Sequence, residues 1–411
     1  ITQFQGDAAL AVFNAPTDLP DHERSALNAA RDILESCAGS TFGGQEMIPR
    51  IGIATGDDAT PGVGSKKLGE IGPAEKTTPA GRFLARFGDA PDDEGLAACV
   101  ARARDLMVVY MPYKVHLHRI FTDLSTVECV NALEQGQWAQ RLWDALDENG
   151  LTHALLPVDS GGSELGLADG VALLKVAGYH AAPIPLAEHW LAGLALVDAG
   201  QPLPGGALTI APPDPASSAV PGNHRRVPWG RSLPVVALDG ADGQRRLKLY
   251  PRAVVVTQNA NLAGEPRDEL DLARSEFTLD AASSIDAPRW LALGALMRSA
   301  QMAGALQRCL ALASGYALER KQFGRPLAAF QAIQQELALL AGEVAAVDAA
   351  VDAAADAAEA GDGLFDIAVA KARASMAVDA ATRIAHQVHG AMGFTYEHRL
   401  HHYTKRLWSW R

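Results

Sequence analysis

The stretch Tyr316-Ala317-Leu318-Glu319-Arg320-Lys321-Gln322-Phe323-Gly324-Arg325-Pro326-Leu327, continued by Phe330-Gln331-Ala332-Ile333-Gln334, decides the fold. It interrupts a region, from Asp286 to Arg411, that is rich in Ala and Leu and carries a long apolar periodicity. Such periodicity predicts helices, and Gly324-Arg325-Pro326 must end one of them because Gly loosens the backbone and Pro lacks an N–H. A second break at Gly361-Asp362-Gly363 divides the remainder, so residues 286–411 read as a helical bundle. Within it Val344 to Ala360 has a regular apolar stripe with Asp on the other face, the pattern of a surface helix.

Upstream the style changes. Between Pro204 and Leu279 lie short β-type runs such as Leu233-Pro234-Val235-Val236-Ala237-Leu238 and Ala253-Val254-Val255-Val256-Thr257, broken by Gly, Pro and Asp. They predict a small antiparallel β-domain over 204–285. Before it, Trp138, Leu142, Leu146 and Leu151 recur at helical spacing and Pro157-Val158-Asp159-Ser160-Gly161-Gly162 makes a loop, giving a helical domain over 125–203. Residues 1–124 change character several times and form a composite segment of irregular α+β type whose role is open.

The stretch around Arg320 carries chemistry as well as a helix end. A planar guanidinium can bind a pyrophosphate bidentately, Gln322, Gln331 and Gln387 offer neutral amides, and Gly390 and Gly393 let backbone N–H groups approach a ligand without a Cβ in the way. The run resembles the YxxxRxxFGxPLxxFQxxQ run of acyl-CoA dehydrogenases. A second run, His386-Gln387-Val388-His389-Gly390-Ala391-Met392-Gly393-Phe394-Thr395-Tyr396-Glu397-His398, is similar to that family's QxxGGxGFxxE signature. The resemblance covers residues 125–411 and implies a mainly α fold with a helical N-part, a β-barrel-like middle and a C-terminal four-helix bundle. It implies FAD as cofactor, with Arg320, Gln322, Phe323, Gln331, Gln387, His389, Gly390 and Ala391 contacting flavin held by a neighbouring subunit. It further implies an acyl-CoA substrate, an electron-transfer flavoprotein or similar acceptor, and a homo- or hetero-oligomer.

Where the sequence departs from the family is as informative. The CxTEPxxGSD loop and WIT strand have only fragmentary counterparts, Leu208-Thr209-Ile210-Ala211-Pro212-Pro213-Asp214 and Val227-Pro228-Trp229-Gly230-Arg231. Trp229 either stacks near a flavin or fills the β-domain core. A β-domain shortened this way resembles the branch that acts on bulky acyl groups, in some members as one half of a hetero-oligomer. The reaction the resemblance implies removes an α-proton from an acyl thioester, which calls for a carboxylate base. In one family arrangement that Glu falls beyond Arg411. In the other it stands near Leu291 to Ala295, where this chain has Gly294 and no carboxylate. Glu397 resembles an architectural Glu, so the catalytic residue is unassigned. The expectation is dehydrogenation with the base beyond the end of a truncated bundle; the alternative is a non-catalytic flavin-binding partner subunit.

The front segment supplies a further alternative, a signalling fragment. Gly6-Asp7-Ala8-Ala9-Leu10-Ala11-Val12-Phe13-Asn14-Ala15-Pro16, Asp21-His22 and Arg50-Ile51-Gly52-Ile53-Ala54-Thr55-Gly56 resemble class III nucleotidyl cyclases over about 1–65. Gly64-Ser65-Lys66-Lys67-Leu68, Thr77-Thr78-Pro79-Ala80-Gly81-Arg82-Phe83 and a strand at Val115-His116-Leu117-His118-Arg119 resemble an L,D-transpeptidase over about 62–120. Neither run includes a full catalytic set. Composition bounds the rest. A net charge of −12 and a pI near 5.5 give no basic field for nucleic acid. Cys37, Cys99, Cys129 and Cys309 lie far apart with no CxxC, against a zinc site or disulfide framework and in keeping with a reducing cytoplasm. No apolar run reaches the roughly 18 residues of a membrane span.

Overall fold

The computed structural model describes residues 3–5, 8–10, 41–42, 45–46, 117–211, 223–239, 245–361 and 363–411. The chain divides into two compact units, Ile1–Val109 and Tyr110–Arg411. In the first, β1 (Gln3–Gln5) pairs antiparallel with β2 (Ala8–Leu10), and β3 (Thr41–Phe42) with β4 (Gln45–Glu46). Asp7, Asp21, His22, Lys66, Cys99 and His116, on which the two front-segment likenesses lean, lie outside the described residues. The expected strand at Val115 to Arg119 is corrected: residues 117–124 are helical, with Leu117 and Phe121 wholly buried in the main core. A run of five alternating residues was too short to establish a strand, and His118 instead meets His180, Nδ1 to Nε2, at 3.0 Å.

After the helical residues 117–124, the second unit continues with helices α1 (Val127–Glu134) and α2 (Gln140–Glu148). Thr126 caps α1, its hydroxyl accepting from the Cys129 N–H at 3.3 Å. α2 buries Leu142, Trp143 and Leu146, one face of an amphipathic helix. Helices α3 (Leu167–Tyr179) and α4 (Leu186–Asp198) are apolar almost all round and are accordingly buried almost all round. The middle forms two small sheets. In one, β11 (Leu279–Ala282), β8 (Arg246–Tyr250), β7 (Val235–Asp239) and β5 (Thr209–Ala211) lie in that order; in the other, β6 (Asn223–Pro228), β10 (Arg267–Asp271) and β9 (Val254–Thr257). The sheets are not wholly antiparallel as expected, since β5 runs parallel to β7. The Gly230 turn is held by the buried Asp268 carboxylate, which accepts from the Arg231 backbone N–H at 2.8 Å and pairs with the Arg231 guanidinium at 2.6 Å.

Three long helices and a short one come next: α5 (Ala287–Glu319), α6 (Gln331–Glu359), α7 (Leu364–His389) and α8 (Leu400–Trp410). Asp286 caps α5 through the Arg289 N–H. The breaks fall where Gly324-Arg325-Pro326 and Gly361 required them. Val347, Val351, Ala354 and Ala355 form the buried stripe of α6. Its Asp face is not simply solvated, because buried Lys175 of α3 pairs with Asp348 at 2.6 Å and Asp352 at 2.7 Å. Helices α3 and α5 approach to backbone contact: a Cβ at Gly304 would lie 1.8 Å from the Lys175 carbonyl oxygen, and one at Gly178 would lie 2.0 Å from that of Gln301. Among the described residues no helix is long and apolar enough to cross a membrane.

This packing sets two expected outcomes. Gly304→Ala drives a methyl into the α3 backbone, and overpacking of this kind costs about 3 kcal/mol, a fall of about 6–12 °C in Tm. Gly315→Ala, on the same helix with nothing within 4 Å of the added carbon, instead gains up to about 1 kcal/mol of helix propensity. Thermal denaturation of the two variants checks the contrast, and equal melting temperatures would refute it. The second concerns His189, wholly buried, whose Nδ1 accepts from the Leu208 N–H at 3.1 Å. Burial, reinforced by the neighbouring His153, lowers its pKa to about 4. A histidine depressed on folding contributes stability that is full above its unfolded pKa, near 6.5, and drains as pH falls towards 4. Urea titrations should therefore show about 1–2 kcal/mol lost from this residue between pH 7 and pH 5, and His189→Gln should flatten that limb.

Candidate functional site

At one end of the bundle, the last turn of α5, the hairpin after it and the end of α7 enclose a cleft of about 540 Å3. Six of the residues expected at the site line it: Arg320, Gln322, Gln387, His389, Gly390 and Ala391. Phe323 and Gln331 do not. Local backbone preferences account for the placement. The chain leaves α5 at Arg320 in extended conformation and returns as a hairpin, β12 (Lys321–Gln322) against β13 (Arg325–Pro326), with the Leu327 N–H donating to the Arg320 carbonyl at 2.8 Å. Its two loop residues, Phe323 and Gly324, both have positive φ, 52° and 80°, as a type I′ turn demands. Glycine meets this freely; phenylalanine does not. The Phe323 ring is therefore held outward and is 92% exposed.

The Arg320 guanidinium lines the cleft with no ion-pair partner among the described residues. The cleft's back wall is His389, 2% exposed and lying 4.7 Å, centroid to centroid, from the Tyr316 ring. His389 Nδ1 is 2.7 Å from the Ala385 carbonyl oxygen, which can only accept. The neutral ring thus carries its proton on Nδ1 and leaves Nε2 as a buried acceptor without a partner among the described residues. Burial lowers the His389 pKa and favours this neutral form. Gly390 then ends α7 at φ 59°, ψ −141°, a conformation open in practice to glycine alone, with open space where a Cβ would sit. Sequence reasoning assigned no role to Tyr316, although it stands four residues before Arg320, which on a helix means the same face.

This donor set fits a flavin dinucleotide. One unpaired guanidinium is available to an anionic phosphate, two amides to polar edges, an orphaned ring nitrogen to a donor, and a Cβ-free turn to close approach.

A second cavity, of about 200 Å3, lies among α4, the first turns of α5 and strands β5 and β6. Gly294 and Leu291, both within the Leu291 to Ala295 stretch where the resemblance would put a carboxylate, are on its wall, and neither is acidic. Glu188 of α4 and Arg298 of α5 also line it. Trp229 lines neither cavity: buried, it meets Trp138 edge-on at 5.3 Å, packing against the helical domain and outside the apolar cluster of the β-domain core. Glu397 is exposed and lines neither cavity.

Comparison with known proteins agrees with this geometry. The family described as "Acyl-CoA dehydrogenase, C-terminal domain" matches residues 287–409. Acyl-CoA dehydrogenase IpdE2 of Mycobacterium tuberculosis (strain ATCC 25618 / H37Rv) is 31% identical over 283 residues, which span 69% of this chain and 84% of that protein. A variant of the Tcur3481-Tcur3483 steroid ACAD superposes with a TM-score of 0.67 at 25% identity, covering 74% of this chain and 92% of that one. The ChsE4-ChsE5 complex from Mycobacterium tuberculosis shares the fold, with a TM-score of 0.66 at 23% identity over 73% of this chain and 92% of the other. The cyclase and transpeptidase likenesses of the front segment are not borne out by these matches. With two sequence signatures converging on one cleft, a helix-sheet-bundle order, and relatives matched over most of their length, the chain belongs to the acyl-CoA dehydrogenase family.

Proposed function

We propose that this acyl-CoA dehydrogenase binds FAD in the Arg320–Gly390 cleft and acts in the α,β-dehydrogenation of an acyl-CoA thioester. The observation that carries the reading is the buried His389 Nε2, partnerless among the described residues, beside the unpaired Arg320 guanidinium: a protein that filled this cleft with its own atoms would leave neither. Arg320 would hold the pyrophosphate, with Gln322 and Gln387 at polar edges of the nucleotide. His389 would accept one hydrogen bond, and Gly390 would bring the backbone close. Phe323 and Gln331, off the cleft wall but beside it in sequence, would reach the same cofactor from the hairpin and the start of α6. When bound, FAD supplies the acceptor for the hydride that leaves the β-carbon. The chain's own part is to hold and orient the nucleotide.

A second subunit completes the site in this reading. The cleft is broad and open, and exposed apolar side chains surround it, among them Phe323, Phe394, Met392, Leu318 and Tyr396. Exposed apolar surface of this extent marks an interface. Homo- and hetero-oligomers are both compatible with it, and one of the solved relatives is itself a two-component complex, ChsE4-ChsE5. Gly294 on the wall of the second cavity favours one variation, in which this chain serves as the flavin-binding partner of a subunit that carries the base. An electron-transfer flavoprotein or similar carrier would then reoxidise the flavin.

Purified protein reconstituted with FAD should be yellow, and Arg320→Ala should weaken retention of the flavin about tenfold or more, the usual effect of losing a charge-assisted hydrogen bond. Equilibrium dialysis followed by the visible absorption of the retained flavin measures this. Unchanged retention would remove Arg320 from the site, and protein that stays colourless would remove FAD.

A further inference from the structure

The segment between α7 and α8, residues 390–399, carries three of the exposed side chains that surround the cleft: Met392, Phe394 and Tyr396. Gly393 is the only buried residue of this segment, so the core does little to hold it. What fixes its two aromatic rings is histidine. Phe394 is stacked on His386 of α7, with centroids 4.4 Å apart and planes inclined by 24°, and Tyr396 on His401 of α8, at 5.6 Å and 25°. Both histidines are tied in turn: His386 Nε2 is 3.1 Å from the Thr404 hydroxyl, and His401 Nδ1 is 2.8 Å from the His398 carbonyl oxygen. His398 then packs on His389 with centroids 4.6 Å apart, and His401 on His402 at 4.0 Å. Five imidazoles drawn from α7, the segment and α8 thus form one cluster beneath the aromatic side chains of the proposed interface.

This cluster suits neutral rings. Among the described residues one carboxylate lies within ion-pairing distance of any of the five, Glu134 of α1, 4.0 Å from His402 Nδ1, and Lys405 shares it at 3.4 Å. Glu397, in the segment itself, is exposed. From α5 come the Tyr316 ring, against His389, and Arg320, on the same cleft wall. The remaining charges acting on the cluster are the cations Arg399, Lys405 and Arg406. A single imidazolium over an aromatic face would be favoured. Several in contact, with cations behind them, repel one another. Burial first, then the neighbouring rings, hold His386 and His398 below the ordinary histidine pKa, and burial does the same for His389. His402 is pushed down to about 3 and stays neutral as a fixed support. A histidine depressed on folding contributes fully above its unfolded pKa, near 6.5, and its contribution is lost as pH falls through the depressed value. Here the loss falls on the rings that hold Phe394 and Tyr396 in place.

We propose that His386, His389 and His398 form a pH-sensitive latch on the subunit interface: neutral, they hold Phe394 and Tyr396 toward the second subunit, and protonated, they release both rings so that the assembly comes apart. This inference rests on the second-subunit reading above. Sedimentation velocity of the FAD-reconstituted protein, at fixed ionic strength from about pH 8 to about pH 5, tests it. Uptake of one proton raises a dissociation constant tenfold per pH unit, and the cluster should give a steeper rise than that, with the helical circular dichroism signal unchanged across the range. His398→Gln removes one titrating ring and leaves both aromatic stacks in place, so its rise should be shallower by about tenfold per pH unit. An assembly indifferent to pH, an equally steep rise in the variant, or dissociation that occurs only as the helical signal is lost would each overturn the latch while leaving the second-subunit reading intact. Protein that is monomeric at about pH 8 with FAD bound would overturn that reading as well.

Discussion

The helical part of this enzyme depends on one steric constraint, the direct approach of α3 and α5. Gly178 and Gly304 let two backbones meet where any side chain would collide with a carbonyl. That approach fixes the separation of the two helices, and the rest of the packing is set from it. Lys175 is carried to α6, where two aspartates one helical turn apart receive its charge. Leu296, Met297, Ala300, Met302 and Ala303 of α5 are all buried, in a core where alanines and larger apolar side chains interlock closely. The last turn of α5, held by the same helix, then delivers Tyr316 and Arg320 to the cleft.

A second, electrostatic constraint ties the sheets to the end of the bundle. The Glu265 carboxylate receives Trp410 Nε1 at 3.0 Å, Arg267 at 3.0 Å and Asn261 at 2.7 Å, with Arg406 at 3.5 Å. Burial alone would raise its pKa; Arg267, Arg406 and Arg298 outweigh that and bring it to about 2. The carboxylate stays ionised throughout ordinary pH, so the junction between β-strands and α8 is a permanent charge surrounded by its counter-charges. Through Trp410 this junction also touches Arg298, placing the wall of the second cavity one residue away from the joint between sheet and bundle.

Much of this was legible in the sequence wherever the signal was local. Breaks at Gly324-Arg325-Pro326 and Gly361 are written by residues that cannot continue a helix, and the cleft residues sit in two short runs. What the sequence concealed was non-local. Glu188 and Arg298 are 110 positions apart, and nothing in either neighbourhood announces the other. The parallel β5–β7 pairing depends on which strands meet rather than on their composition. Residues 117–124 became helical because Leu117 and Phe121, four apart, share a face that the core could cover; the His116 and His118 alternation suggested a strand but had no such support. Trp229 was ambiguous for the same reason: an indole suits a cofactor or a core equally well until its neighbours are known.

The hairpin tip carries one more consequence. A two-residue turn with both dihedrals prescribed leaves Phe323 almost no backbone latitude, so its ring is offered to its surroundings in a single attitude before anything meets it. Ordering a mobile loop would oppose association; here that ordering is complete in the isolated chain. The strain of a left-handed phenylalanine is, in effect, preorganisation: a modest conformational penalty accepted during folding so that none remains at encounter.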